Sequence, residues 1–141
     1  LSVCVTPLFG DPYYKKCVSR CYNKTYGLAD SARQCVATCP STPQDLYSDD
    51  NTYTCVLATA CSNSMFGDSS TRKCVPFCPL SANTYANPAN QKCTSTCDTP
   101  YFADNSTRKC VNTCPSIPSL FADSSSRKCV ENCPGPSSFA D

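Results

Sequence analysis

The sequence predicts a small disulfide-rich fold, mostly β and irregular: an elongated tandem array of single-disulfide β-hairpin modules with a period of about 19 residues. Three observations carry that expectation. Fifteen of the 141 residues are Cys and none is Trp, so cross-links must replace an ordinary apolar core. The first Cys of each closely spaced pair recurs at positions 17, 35, 55, 74, 93, 110 and 129. Between one pair and the next, the chain repeats an aromatic residue, a small residue and Asp, then a polar tip, then Lys-Cys-Val. A repeat of this length is a supersecondary unit that cannot bury its apolar face alone.

The unit is clearest from Cys97 to Cys114, where Phe102-Ala103-Asp104 leads through Asn105-Ser106-Thr107 to Arg108-Lys109-Cys110-Val111. Two short runs flanking an Asp-led polar turn read as a hairpin, because an Asp side chain can bond its own backbone two residues on. Val18, Val36, Val56, Val75, Val111 and Val130 follow the closing cysteines, a strand position suited to a β-branched residue. Loops 4–17, 21–35, 39–55, 61–74, 78–93, 97–110 and 114–129, with a partial loop at 133–141, then make residues 1–141 one continuous array. Loop 21–35 carries an insertion at Leu28. Loop 39–55 diverges most, with Tyr53-Thr54 in place of the basic pair and a wider junction from Cys55 to Cys61. The last unit reaches only Phe139-Ala140-Asp141, and the expectation is that the sequence is a window on a longer array.

Two disulfide schemes are open. Pairing inside each C-x-x-x-C would clip tiny loops, leave the aromatic segments unrestrained and strand Cys4. Pairing the ends of each loop joins Cys4 to Cys17, Cys21 to Cys35, Cys39 to Cys55, Cys61 to Cys74, Cys78 to Cys93, Cys97 to Cys110 and Cys114 to Cys129. That scheme, the favoured one, leaves only Cys133 unpaired within this chain. A lone two-stranded hairpin is marginal in water, and a disulfide closing a loop of this size adds roughly 3 kcal/mol in the chain-entropy account. Each aromatic ring is expected to pack against the preceding or following disulfide, giving a thin continuous spine.

The motif Cys-Val-x-x-Cys-Pro, present at Cys35–Pro40, Cys74–Pro79, Cys110–Pro115 and Cys129–Pro134 and followed by aromatic-Ala-Asp, resembles the furin-like, growth-factor-receptor cysteine-rich repeat. Its regular Phe-Ala-Asp and Arg-Lys-Cys-Val form is most similar to the long tandem arrays in surface proteins of ciliates and other protists. The resemblance implies an extracellular rod of single-disulfide hairpin modules with the loop-end pairing. Loop 39–55 departs from the family pattern, and no two-disulfide module is evident.

Composition excludes several functions. The formal net charge is +1, with 12 basic and 11 acidic residues spread along the chain, so nothing marks a nucleic-acid surface. No apolar run is long enough to span a membrane. Without His, and without C-x-x-C or C-x-C spacing, neither a zinc site nor a histidine base is expected; no enzyme activity, cofactor or metal is predicted. One Asp per unit could suggest calcium, but calcium needs six or more converging oxygens, and a turn-forming Asp ion-paired across the hairpin is the simpler reading.

Two N-glycosylation sequons stand at Asn23-Lys24-Thr25 and at Asn105-Ser106-Thr107; Asn112-Thr113-Cys114 would need a Cys committed to a bridge. Abundant Ser, Thr and Pro also permit O-linked glycans. The expected protein is extracellular or at the cell surface: a glycosylated rod that forms or coats a surface fibre or layer through self-association or lateral contacts. The alternative is the stalk of a receptor or adhesin.

Overall fold

The computed structural model describes residues 3–134, so the partial unit ending in Phe139-Ala140-Asp141 lies outside the described residues. The chain divides into two compact units, Leu1–Pro76 and Phe77–Asp141. Each is built of short antiparallel hairpins. The first unit holds β1 (Phe9–Asp11) with β2 (Lys16–Val18), β3 (Tyr26–Gly27) with β4 (Cys35–Val36), β5 (Leu46–Asp49) with β6 (Thr54–Leu57), and β7 (Phe66–Asp68) with β8 (Lys73–Val75). The second holds β9 (Tyr85–Asn87) with β10 (Lys92–Thr94), β11 (Phe102–Asp104) with β12 (Lys109–Val111), and β13 (Phe121–Asp123) with β14 (Lys128–Val130). The single-disulfide hairpin read from the repeat is therefore the building block.

Register follows from the letters. The aromatic residue faces the Val after the closing Cys, as in Phe9 with Val18, Tyr47 with Val56, and Phe102 with Val111, an aromatic with β-branched pair that favours a sheet. The small residue faces the closing Cys, and Asp faces Lys.

Hairpins join by a parallel step. The first strand of one hairpin lies beside the second strand of the next: β3 beside β6, β5 beside β8, β9 beside β12 and β11 beside β14. Gly10 makes the same bridge to Gln34. One backbone bond recurs at each step, from the amide of the small residue to the carbonyl of the residue two before the next closing Cys. It appears as Gly10 to Arg33 (2.6 Å), Gly27 to Tyr53 (2.8 Å), Ser48 to Arg72 (2.8 Å), Ala86 to Arg108 (2.9 Å) and Ala103 to Arg127 (2.8 Å).

The core is a series of small clusters, each made of one ring and the next hairpin's disulfide. Phe9 packs with Cys21 and Cys35, Tyr26 with Cys39 and Cys55, Tyr47 with Cys61 and Cys74, and Tyr85 with Cys97 and Cys110. Of the two orientations the sequence left open, the following disulfide is the one used. Phe121, which has no following hairpin among the described residues, is half exposed.

Ring placement also explains the small residue. A Cβ on Gly27 would stand 2.7 Å from the Phe9 ring, and one on Gly67 would stand 2.8 Å from the Tyr47 ring and 2.9 Å from the Ala58 Cβ. Ring and backbone are in face contact, so bulk there must push the ring off its seat. Gly67→Val is expected to destabilise the first unit by roughly 1–3 kcal/mol, the usual range for overpacking. Denaturant unfolding with disulfides intact measures it, and an unchanged midpoint would remove the ring contact as the reason for the small residue.

Candidate functional site

Chemically distinctive side chains converge at the interface between successive hairpins, where a turn residue of one hairpin covers the ring of the hairpin before it. Five of the turns end in a residue with left-handed backbone that meets the hairpin before it: Arg33 (φ 44°), Tyr53 (56°), Arg72 (59°), Arg108 (57°) and Arg127 (56°). Non-glycine residues adopt this conformation at a cost of roughly 1–3 kcal/mol, so the surroundings must hold them there. Here the carbonyl accepts the recurring inter-hairpin bond and the side chain lands on the neighbouring ring.

The guanidinium carbon lies 4.7 Å from the ring centre of Phe9 for Arg33, 4.7 Å from Tyr47 for Arg72, 4.2 Å from Tyr85 for Arg108, and 4.5 Å from Phe102 for Arg127. Contacts of this kind contribute about 0.5–2 kcal/mol, more as water is excluded. Each Arg also donates to the carbonyl just before that ring. Arg33 reaches Leu8 (3.0 Å), Arg72 reaches Leu46, Arg108 reaches Thr84 (2.7 Å) and Arg127 reaches Tyr101 (2.5 Å). Arg72 additionally holds Asp45 in an ion pair at 2.5 Å. At the third hairpin Tyr53 replaces Arg, stacking on Tyr26 at 6.4 Å with 20° between planes.

Where the covered ring is Tyr, its hydroxyl is satisfied. Tyr26 donates to Asp50 (2.5 Å) and Tyr85 to Asn105 (2.5 Å), each acceptor following the turn Asp of the next hairpin. Tyr47 donates to Asp45 (2.6 Å), with the Ser69 hydroxyl 3.2 Å away. Burial, with the Asp50 carboxylate beside it, pushes the Tyr26 phenol above its ordinary value.

The turn Asp was expected to ion-pair across its hairpin, and the structure corrects this. Among the described residues no turn Asp forms an ion pair with the hairpin's Arg or Lys. The Arg is committed to the preceding ring, and the Asp is saturated by its own turn. Asp68 accepts from the Ser70 amide (3.0 Å), the Ser70 hydroxyl (2.8 Å) and the Thr71 hydroxyl (2.6 Å), and Asp104 is held likewise by Ser106 and Thr107. Burial alone would raise Asp49, Asp68 and Asp104, but these hydroxyl and amide donors outweigh it and hold all three below the ordinary range. The hydroxyls of Ser126 and Ser125 bring Asp123 to about 2. Donors already occupy the oxygens that a calcium ion would need, and no group of three or more His, Cys, Asp or Glu positioned to hold a metal occurs among the described residues.

A carboxylate held below its unfolded value stabilises the fold at pH above that unfolded value, near 3.8. The contribution disappears as pH falls through the folded value, toward about 2 for Asp123. Thermal melts with disulfides intact are therefore expected to be level from neutral pH to about 5 and to drop between about 4 and 2. A level profile through that window would show that the turn carboxylates are not specially held.

The wide junction around Cys61 contains two 3-10 turns, Ala58–Ala60 and Ser62–Ser64. Ala58 packs on Tyr47, and Ser62 caps the turn of the preceding hairpin through its amide (3.1 Å) and hydroxyl to Asp49. The equivalent pair two hairpins later is inverted, with Asn87 donating to Asp98 (3.2 Å). This explains the one Asn that replaces a turn Asp. Asn87→Asp is expected to cost about 1 kcal/mol at neutral pH by setting two carboxylates together. Adding Asp98→Ser should recover it, and denaturant melts of the single and double variants would expose a failure to do so.

The disulfides join the ends of every loop: Cys4–Cys17, Cys21–Cys35, Cys39–Cys55, Cys61–Cys74, Cys78–Cys93, Cys97–Cys110 and Cys114–Cys129, with Cys133 free and half-buried. Cα separations are 5.5–5.8 Å. Asn105 is exposed at the tip of the β11–β12 hairpin, and its side-chain oxygen, not its nitrogen, takes the Tyr85 hydroxyl. Asn23 is exposed in left-handed backbone. No helix among the described residues is long and apolar enough to cross a membrane. No family model, curated protein or solved structure matches the chain. A disulfide in every complete unit is typical of an oxidising compartment, which marks a disulfide-stapled protein of secreted or extracellular type.

Proposed function

We propose that the chain is a non-catalytic structural protein, built of furin-like repeats, that forms or coats an extracellular fibre or cell-surface layer. The observation that carries this reading is the interface itself: ring, guanidinium, carbonyl and disulfide recur from Phe9 with Arg33 to Phe102 with Arg127. A contact repeated between sequence neighbours is the device by which arrays extend. An N-linked glycan at Asn105 would stand at an exposed hairpin tip, and one at Asn23 at an exposed position beside Tyr22. Lateral association would draw on the exposed Phe77, Leu80 and Ile117 of the second unit.

The test is localisation joined to extraction. An antibody to the chain should label a surface layer or fibre, and release should require reductant or denaturant. Glycosidase should lower the mass of the peptide carrying Asn105. Intracellular labelling with free thiols, or full release in mild buffer as a monomer, would overturn the reading.

A further inference from the structure

The third hairpin departs from the four that carry Arg at this position, and the departure lines a groove. Where four interfaces place Arg over the preceding ring, this one places Tyr53, and a different cation covers it: Arg20, from the Cys17–Cys21 junction, stands 3.9 Å from the Tyr53 ring centre. Tyr26 and Arg20 thus both meet the Tyr53 ring at the wall of an open groove of about 580 Å³. A second groove of about 590 Å³ adjoins it, sharing Tyr22 and Asn23 in its lining.

Charge is concentrated here. Lys24 and Lys73 line the first groove with Arg20, Lys16 lines the second, and all four are exposed. The carboxylate in the lining is Asp50, which already accepts the Tyr26 hydroxyl. Four cations in one trough of a chain whose formal net charge is +1 are a local excess. Tyr14 and Tyr22, each about half exposed, add ring faces along the same trough. Departure from a repeat's own rule is the signature expected where a position serves something other than the fold.

We propose that this groove binds an acidic polysaccharide, a chain of sugars bearing carboxylate or sulfate groups. Tyrosine rings present flat apolar faces that match the C–H face of a pyranose, while the ammonium and guanidinium groups pair with its anions. Single-stranded nucleic acid also combines rings with charge. An extracellular setting favours the polysaccharide, and in this the inference rests on that part of the proposed function; whether the chain builds a fibre does not enter it.

The test uses the full disulfide-intact chain with Asn23 unglycosylated, because a glycan there would sit in the trough. Affinity electrophoresis and calorimetry would compare a polygalacturonate oligosaccharide, a heparin oligosaccharide, neutral dextran and a single-stranded DNA of matched charge. The two acidic saccharides tell carboxylate from sulfate recognition. Binding of at least one, with no dextran binding, is expected to weaken on the order of tenfold in Arg20→Ala/Lys24→Ala and again in Tyr22→Ala. Lys109→Ala/Lys128→Ala, an equal charge change in the other unit, should shift it by less than about twofold. All these side chains except the partly covered Lys128 are exposed, and circular dichroism with non-reducing gels verifies folding. Equal losses in both double variants, tighter binding of DNA than of either saccharide, or no binding would each overturn the proposal. Because purified protein is used, such a failure leaves the localisation result standing.

Discussion

A guanidinium laid across the ring of the preceding hairpin is the contact on which the rest of the structure depends. The turn residue that brings it has left-handed backbone, where glycine would be less strained but could offer the ring nothing. That backbone turns a carbonyl toward the neighbouring hairpin, where the amide of the small residue meets it. The ring, pressed from one side by Arg, needs a flat surface beneath. The next hairpin supplies one in its disulfide and in a residue with little or no side chain. Aromatic, small residue, disulfide and Arg are thus four parts of one contact, which is why they recur together.

The hairpins, their number and the loop period were legible because they rest on short-range signals: spacing of cysteines, a turn Asp, a Val after each closing Cys. Contacts between units were much less legible. Arg108 reaches Thr84 and Arg127 reaches Tyr101, 24 and 26 residues back, so a partner sought within the same hairpin was sought in the wrong place. The Arg-Lys dipeptide gave no hint that its two members face different neighbours. Its first residue serves the previous ring, whereas its second pairs in register with the turn Asp. A signal did exist in the pairing of Tyr26 with Asp50 and of Tyr85 with Asn105, since a buried hydroxyl requires an acceptor one unit on. The Asn87 and Asp98 pair carries the same kind of information, because a carboxylate after the next opening Cys requires a donor in the preceding turn.

Departures from the repeat follow the same logic. The wide junction at Cys61 adds residues without disturbing the ring below it, because Ala58 fills against Tyr47 and Ser62 returns to cap Asp49. The insertion at Leu28 is absorbed by a bond from its amide to the Gln34 carbonyl (2.9 Å), which lengthens that hairpin while Arg33 still reaches Phe9. Tyr53 differs in kind, since it keeps the backbone bond to Gly27 while exchanging the cation for a ring, and a second residue must then bring the cation.

The disulfide has two duties in this arrangement. It closes its own loop, contributing through the unfolded chain, and its sulfur atoms form part of the bed on which the previous hairpin's ring rests. Opening Cys97–Cys110 would loosen the β11–β12 hairpin and also uncover Tyr85, one unit away. An apolar core of the same size could not divide this way, because its side chains would have to meet at one centre. A chain with no Trp and with so much of its apolar content in cysteine instead stabilises each hairpin through the next, one covalent link at a time.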